Sequence, residues 1–364
     1  MEWRTVALSV FMISLCFLAI PIRVPSSDTI DNDLRLFETY ILRYNKSYRH
    51  DPIEYDKRFK HFQISLRGIE KMNKLRTSPE SAYYGPTKYS DLSEDEFIKL
   101  ALRKDLSTRA ERHRTDRFMR KKYSTGKGNL IRYERALKIP PRLDWRTKGV
   151  VTPVKSQGNC GACWAYSTVE CIESMIAIKN HTLTSYSIQE MIDCAGNNNF
   201  GCQGGDICSL LSWLVDNKVS VLTESLYPVT GKTDTCLLER SAKSTVRVTD
   251  CTCDSFINTE DQLLDVLVNH GPVAVAVNAL TWQNYLGGII QFHCDGSFKM
   301  LNHAVQIVGY DNTGKIPYYI VRNSWGTLFG NDGYIYIAIG NNLCGWFTLY
   351  LSTYIIIFIC KLKY

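Results

Sequence analysis

The sequence has no apolar run long enough to cross a membrane as a helix. A spanning helix needs about 20 consecutive apolar residues, whereas the uncharged run Val6–Ile20 is soon ended by Pro21 and Arg23. Because Arg4 precedes it, this short run is typical of a secretory signal, which we assign to residues 1–22. A short membrane anchor is the alternative, but we expect no stable membrane insertion.

The part of the sequence that looks globular has no excess of positive charge, although the chain as a whole has a formal net charge of +7. Lys and Arg are concentrated in residues 101–138, which have few apolar residues and predict a solvated linker. Residues 139–364 are slightly acidic. We therefore expect neither a nucleic-acid partner nor an anionic lipid surface, both of which a basic surface would indicate.

The sequence also lacks a second cysteine pair of the spacing that a structural zinc site requires. The first pair would be Cys160-x-x-Cys163, but the candidate for the second pair, Cys251-x-Cys253, has the wrong spacing. We therefore expect no metal and no other cofactor. Yet cysteine is abundant, with 13 residues, which favours an oxidising compartment, and the odd number leaves at least one thiol outside disulfides. Two glycosylation sequons, which fit such a compartment, begin at Asn45 and Asn180.

Residues 23–100 form a polar module rich in helix formers. Aromatic and aliphatic residues recur at three- and four-residue steps in 33–76, which predicts an amphipathic helical region. Residues 82–89 alternate and predict one short strand, and Ser93 is the expected N-cap of a following helix. After the linker at 101–138, the composition is again globular, which predicts a second domain at 139–364.

The segment from Gln157 to Trp164 carries the densest chemistry. A helix with a 3.6-residue apolar period is predicted to follow at once, so Cys163 lies at a helix N-terminus. There the helix dipole favours the nucleophilic thiolate. Within this segment alone, a thioredoxin-type redox pair of Cys160 and Cys163 stays open as an alternative.

Two further segments favour an activated cysteine nucleophile. His303 begins a predicted apolar strand, and Asn323 lies at the end of the next one. A histidine that accepts and returns a proton, held by an amide oxygen, is what such a nucleophile requires.

On these residues the chain resembles the papain-like cysteine proteases of the cathepsin family. Cys160 to Trp164 matches the family's Cys-Gly-Ser/Ala-Cys-Trp/Tyr motif, with His303 and Asn323 well downstream. The segment Trp282–Gln291 is similar to the segment before the catalytic histidine in one particular cathepsin. The resemblance implies an α+β, papain-like fold of two parts, one helical and one β-barrel-like, with the active-site cleft between them and a helical inhibitory propeptide in front.

The resemblance also implies roles for individual residues. Cys163 would be the nucleophile, His303 the acid and base, Asn323 the group that orients the histidine, and Gln157 a donor to the oxyanion. A substrate-binding set and three disulfides follow in the same way. The implied substrate-binding residues are Gly204, Gly205, Ile207, Ala276, Leu301, Ala304 and Trp325. The implied disulfides are Cys160 with Cys202, Cys194 with Cys236, and Cys294 with Cys344.

The function that follows is a cysteine endopeptidase made as a secreted or lysosomal zymogen. Its partners would be protein or peptide substrates and its own propeptide as inhibitor, and a monomer is expected. The alternative is a non-catalytic relative that keeps the fold and only binds. The propeptide would occupy residues 23–100, where Gly85-x-Thr87-x-Tyr89-x-Asp91 is similar to a family motif.

The C-terminal end departs from the family. Residues 346–360 are uncharged and mostly apolar, too few for a membrane span, and a buried strand would account for only part of them. We expect either such a strand or a segment that replaces the family's usual C-terminus.

Overall fold

The computed structural model describes residues 27–102, 139–237, 246–254, 260–292, 294, 300–340, 343–345 and 357–363. The expected signal peptide, nearly all of the basic linker and residues 346–356 lie outside the described residues. The chain divides into two compact units, Met1–Gln63 and Ile64–Tyr364. The division falls inside a helix.

In the first unit, the predicted amphipathic helical region consists of two helices, α1 (Ser27–Arg43) and the start of α2 (Pro52–Lys74). Asp51 separates them because its Oδ1 accepts hydrogen bonds from the backbone N–H groups of Ile53 and Glu54, and Pro52 suits the first helical position. The helices share an aromatic cluster centred on Phe37. Its ring centroid lies 5.2 Å from that of Tyr55 and 5.2 Å from that of Phe62.

The second unit begins with the remaining propeptide-like elements, strand β1 (Tyr83–Tyr84) and helix α3 (Glu94–Ala101). Ser93 caps α3 as predicted, in a capping box with Glu96. The strand predicted over 82–89 was wrong in length. It stops at Tyr84 because the chain turns from Thr87 onwards, where Ser90 N–H donates to the Thr87 carbonyl.

The first layer of the second unit is helical. It consists of the buried helix α4 (Cys163–Asn180) and the two shorter helices α5 (Ile188–Cys194) and α6 (Ile207–Asp216). Nearly every residue of α4 is buried, and its apolar side chains share one cluster with α5 and α6. A two-stranded pair, β3 (Arg247–Asp254) with the C-terminal strand β10 (Ile357–Lys363), lies beside α6 and α4. Part of the apolar C-terminal run is therefore a strand.

The other layer is a six-stranded sheet with its own apolar cluster. Its strands are β2 (Arg142–Asp144), β4 (Val273–Val277), β6 (Ile289–Ile290), β7 (His303–Asp311), β8 (Tyr318–Arg322) and β9 (Tyr334–Ala338). β7 is central, because it pairs antiparallel with β2, β4 and β8. The short strand β5 (Tyr285–Gly287) pairs with β1, and helix α7 (Glu260–His270) precedes β4. Helices on one side and a mainly antiparallel sheet on the other, with only β6 and β9 paired in parallel among its described strands, give the expected α+β class.

Three disulfides close the fold at the pairs that the family resemblance implies. They are Cys160–Cys202, Cys194–Cys236 and Cys294–Cys344, with sequence separations of 42, 42 and 50 residues. Loops of this length correspond to about 4 kcal/mol each on the chain-entropy account. Among the described helices, none is long and apolar enough to cross a membrane.

Glu190 is a buried carboxylate whose position predicts a pH-dependent stability. Its Oε2 accepts a hydrogen bond from Leu222 N–H at 2.8 Å, and Oε1 has no hydrogen-bond partner among the described residues. Burial raises the pKa of Glu190 to about 7, against a smaller lowering by the Leu222 hydrogen bond. The folded state therefore prefers the protonated carboxyl, and stability falls as the pH rises from about 4.5 to about 7.

We predict that Glu190→Gln changes the free energy of unfolding little at pH 5. At pH 8 it should raise that free energy, by an amount on the order of 2 kcal/mol, because the amide cannot ionise. Urea unfolding of the full-length chain at both pH values checks this. An equal effect at pH 5 and pH 8 would contradict it.

Candidate active site

Cys163 is the first residue of α4 and is 1% exposed. It belongs to none of the three disulfides, while Cys160 is bonded to Cys202. This pairing excludes the redox alternative, in which Cys160 would bond with Cys163. The thiol instead lies at the positive end of a helix dipole, which stabilises a thiolate.

His303 reaches the same region from the sheet. It is the first residue of β7, and α4 packs against β7. Ala304, the next residue, lies in the same apolar cluster as Cys163. The start of the helix and the start of the strand thus contribute to one apolar cluster, and the thiol and the imidazole are on the first residue of each element.

Asn323, directly after β8, fixes the imidazole. The distance between His303 Nε2 and Asn323 Oδ1 is 2.8 Å, and the backbone N–H of Ser324 also donates to Oδ1 at 2.8 Å. Because the N–H identifies this atom as the oxygen, Nε2 must be the donor and carry the proton. Nδ1 of a neutral imidazole is then a proton acceptor. It is buried and has no hydrogen-bond partner among the described residues.

The surroundings of His303 keep it neutral in this state of the chain. The residue is fully buried, and burial lowers its pKa to about 4, while the hydrogen bond with Asn323 acts in the opposite direction. The Trp325 ring covers the imidazole with a centroid distance of 4.9 Å, and the Trp282 ring approaches edge-on at 6.1 Å. Both indoles exclude water from the hydrogen bond between His303 and Asn323.

Gln157 is held at both ends of its side-chain amide. Its Nε2 donates to the Cys160 carbonyl at 3.0 Å, and its Oε1 accepts from the Ser324 hydroxyl at 2.5 Å. Its backbone N–H donates to the Ser324 carbonyl at 2.8 Å. Nε2 has a second hydrogen that these bonds do not use. Sequence reasoning missed Ser324, and only its place between Asn323 and Trp325 hinted at a role.

Apart from Trp325, which covers the imidazole of His303, the residues implied for substrate binding fall into two groups. Ala276 on β4 is directly opposite Ala304 on β7, and Leu301 precedes that strand by two residues. Ile207 begins α6 and shares the apolar cluster of Cys163 and Ala304. Ile207 and Ala304 thus share the cluster of Cys163, and Ala276 lies across the sheet from Ala304.

Gly204 and Gly205 form the other group, and each needs to be glycine for a physical reason. Gly204 has φ 105°, a backbone conformation that favours glycine. A Cβ on Gly205 would lie 2.5 Å from Cδ2 of Trp164, so the indole of the residue after Cys163 fills that space. Gly205 therefore has a packing role beside Cys163, independent of any contact with substrate.

Sequence reasoning gave no indication that the helix behind Cys163 contains buried charge. Glu170 and Glu173 are fully buried on α4. Arg322, the residue before Asn323, lies 3.2 Å from Glu170, and Lys155 lies 2.6 Å from Glu173. From sequence alone, a carboxylate within an apolar helical pattern is predicted to face solvent. Only the structure shows that a basic residue from another segment lies beside each of these two carboxylates.

Comparisons with known proteins agree with this geometry. Residues 139–353 match the papain family of cysteine proteases, and residues 37–97 match the cathepsin propeptide inhibitor domain. Human cathepsin O is 38% identical over 285 residues, which cover 78% of this chain and 84% of the relative. Cathepsin O is the protein that the segment Trp282–Gln291 indicated. Cysteine proteinase 1 of Dictyostelium discoideum is 34% identical over 318 residues, 83% of this chain and 87% of the relative.

Solved proforms share the fold. The recombinant stem bromelain precursor superimposes with a TM-score of 0.73 at 27% identity and covers 91% of this chain and 99% of its own. Digestive procathepsin L 3 of Tenebrio molitor superimposes with a TM-score of 0.70 at 29% identity, over 90% of this chain and 98% of its own. With both a family match over most of its length and relatives above 30% identity, the chain belongs to the papain family of cysteine proteases and has a cathepsin propeptide inhibitor domain before its protease domain.

Proposed function

We propose that this cysteine protease zymogen yields an endopeptidase in which Cys163, His303, Asn323 and Gln157 carry out the chemistry. The observation that carries the proposal is the hydrogen bond from His303 Nε2 to Asn323 Oδ1, because it leaves Nδ1 as a proton acceptor on the strand that packs against the helix of Cys163. A binding protein has no need of that arrangement. The relatives are named cathepsins and cysteine proteinases, and nothing favours the non-catalytic alternative.

Acylation begins when the Cys163 thiol gives its proton to Nδ1 of His303. The thiolate attacks the substrate carbonyl carbon, and the carbonyl oxygen becomes negative. When the carbon–nitrogen bond breaks, His303 returns the proton to the leaving amine and a thioester remains on Cys163. His303 then takes a proton from water, the hydroxide attacks the thioester carbon, and Cys163 leaves as a thiolate beside the protonated His303. The product leaves as a carboxylic acid, which ionises in water.

Oxyanion stabilisation comes from two donors in this proposal, the backbone N–H of Cys163 and the second Nε2 hydrogen of Gln157. Ser324 and the Cys160 carbonyl hold the amide of Gln157 in advance. A donor that is already oriented contributes more to the transition state than one that has to reorganise.

Specificity in this proposal comes from the apolar set of Ile207, Ala276, Leu301 and Ala304. These side chains should favour a bulky apolar residue two positions before the cleaved bond. Only 67 residues separate Gly205 from Pro272, too few for the occluding insertion found in dipeptidase-like members of the family. We therefore assign endopeptidase activity, with Gly204 and Gly205 along the substrate backbone.

The propeptide-like residues of the second unit contact the aromatic side chains around the site. Tyr89 packs edge-on against Trp325 at 5.3 Å, and Phe97 does so at 5.6 Å. Lys88 donates to the Trp325 carbonyl at 2.8 Å. Covering Trp325 in this way keeps His303 buried and is our explanation for inhibition by the proform.

We further propose four segments along the chain: a signal peptide at 1–22, an inhibitory propeptide at 23–100, a basic linker at 101–138 and the protease domain at 139–364. The linker contains Arg-x-x-Arg steps such as Arg117 to Arg120, which a processing protease would cut. The three disulfides and the exposed sequon residues Asn45 and Asn180 favour a lysosomal, endosomal or extracellular location. We expect the mature enzyme to act as a monomer.

We predict that Cys163→Ser abolishes peptidase activity. A serine hydroxyl gives up its proton to the imidazole of His303 much less readily than a thiol does, so the variant lacks an activated nucleophile. The fold should be unchanged, since sulfur and oxygen differ little in size. Hydrolysis of a fluorogenic peptide and the melting temperature of the zymogen check both parts. Wild-type activity in this variant would refute the proposal.

Gln157→Ala should lower kcat by roughly 100- to 1000-fold, because one oxyanion donor contributes about 2.7 to 4 kcal/mol. The KM for the same peptide should change much less. Ser324→Ala is the matched control, since it removes only the hydroxyl that holds the amide and should have a smaller effect of the same kind. A Gln157→Ala enzyme with an unchanged kcat would remove Gln157 from the proposed machinery.

Tyr89→Ala should weaken inhibition by the propeptide. The variant loses the ring that packs on Trp325, so an epoxysuccinyl probe should label Cys163 in the uncleaved zymogen at least tenfold faster. Tyr89→Phe is the control, because the Tyr89 hydroxyl is buried without a hydrogen-bond partner among the described residues. Labelling as slow in Tyr89→Ala as in Tyr89→Phe would contradict the contact's role.

A further inference from the structure

Arg322 is a fully buried arginine at the end of β8, and its guanidinium contacts three other parts of the protease domain. Nη2 lies 3.2 Å from Glu170 Oε1 on α4, and it also donates to the Thr152 hydroxyl at 3.0 Å and to the Pro153 carbonyl. Nη1 donates to Gln306 Oε1 on β7 at 3.3 Å. One side chain thus joins the helix of Cys163 and the strand of His303 to β8, the strand that directly precedes Asn323.

The sheet register places these contacts directly beside the proposed catalytic groups. Arg322 is opposite Gln306 in the pairing of β8 with β7, and Gln306 is three residues after His303. Arg322 also directly precedes Asn323. Movement of the Arg322 backbone would therefore move the amide oxygen that holds His303 Nε2.

Glu170 is the charge that Arg322 needs in order to remain buried. A buried arginine without a counterion costs several kcal/mol, and Glu170 is only 1% exposed, so neither charge can turn to water. The second buried carboxylate, Glu173, is engaged elsewhere, with Lys155 Nζ at 2.6 Å and the Tyr186 backbone N–H at 2.9 Å. Glu170 is thus the carboxylate assigned to Arg322.

We propose that Glu170 and Arg322 are positioning residues, an ion pair that ties α4 to β8 and thereby keeps Asn323 and His303 in register with Cys163. The inference rests on the proposed function, because it concerns the alignment of the groups assigned there. Neither residue touches the reacting atoms. Their effect should appear in kcat, since misalignment of a nucleophile and its base by about 1 Å costs up to roughly 100-fold in rate.

The charge state of Glu170 sets the conditions of the test. The charged or titratable groups that face it are Arg322 on β8, Tyr334 on β9, Lys155, and Tyr166, Cys171 and Glu173 on α4. Burial raises the pKa of Glu170 to about 7, while Arg322 and Lys155 act in the opposite direction. The carboxylate is therefore charged at pH 8 and increasingly protonated at pH 5.5, where it resembles a neutral glutamine.

The experiment compares wild type, Glu170→Gln and Glu190→Gln, each produced as the full-length zymogen, activated, and counted by titration of Cys163 with an epoxysuccinyl inhibitor. Glu190→Gln is the matched control, a neutralised buried carboxylate on α5 that hydrogen-bonds Leu222 instead of a group next to Asn323. For Glu170→Gln at pH 8, we expect kcat per titrated site to fall roughly 10- to 100-fold, with KM within twofold of wild type. At pH 5.5 the difference in kcat between Glu170→Gln and wild type should be smaller. Glu190→Gln should keep the wild-type kcat at both pH values.

A Glu170→Gln enzyme with wild-type kcat per titrated site at pH 8 would overturn the inference, even if its melting temperature were lower. Arg322→Lys is the second variant in case Glu170→Gln does not fold. It keeps the charge but cannot reach Glu170, Gln306 and Thr152 together, so an unchanged kcat there would overturn the inference equally. A wild-type protein that the titrant does not label would instead contradict the proposed function itself.

Discussion

The protease domain depends on one hydrogen bond, from His303 Nε2 to Asn323 Oδ1. It fixes the tautomer of the imidazole, and so decides which ring nitrogen is able to accept a proton. His303 begins β7 and Asn323 directly follows the neighbouring strand β8, which means that the register of β7 and β8 sets their distance. Trp325 and Trp282 keep the bond away from water, and Ser324 connects the same loop to Gln157.

The same burial that protects this bond also restrains the chemistry in the proform. A fully buried imidazole resists taking up a proton, which is why the pKa of His303 falls to about 4. Tyr89 and Phe97 pack on Trp325, and the Trp325 ring in turn lies over the imidazole. On this account, release of the propeptide does more than open a path for substrate, since exposure to water raises the pKa of His303 and lets it hold the proton that Cys163 gives up.

Much of the site could be predicted from the sequence because its residues lie in short, distinctive segments. Cys163 comes directly before an apolar helical period, and His303 and Asn323 lie at the ends of apolar strands, so local pattern and family resemblance were sufficient. The disulfide pairs followed from the resemblance alone. The α+β class was also accessible, since helical and strand periodicities occur in separate parts of the chain.

The contacts between distant segments could not be predicted in this way. Glu170 and Glu173 look like solvent-facing positions of an amphipathic helix until Arg322 and Lys155 are known to lie beside them. The strand predicted over 82–89 ends at Tyr84 because the chain from Thr87 to Leu92 binds Gln283, nearly 200 residues away. The Thr87 hydroxyl donates to the Gln283 carbonyl, and Gln283 Nε2 donates to the carbonyls of Tyr89 and Leu92. Periodicity predicts which face of a helix or strand is buried. It does not predict which charged residue from another element packs against that face.

The central claim is that the His303–Asn323 pair turns Cys163 into a thiolate, and the most direct measurement is the rate of alkylation of Cys163 by iodoacetamide in the mature enzyme as a function of pH. A thiolate held by a histidinium ion reacts well below the pH at which an ordinary thiol, with a pKa near ~8.5, begins to ionise. The account predicts a rate that stays high from neutral pH down to about pH 5. A rate that rises only above about pH 8 would contradict it.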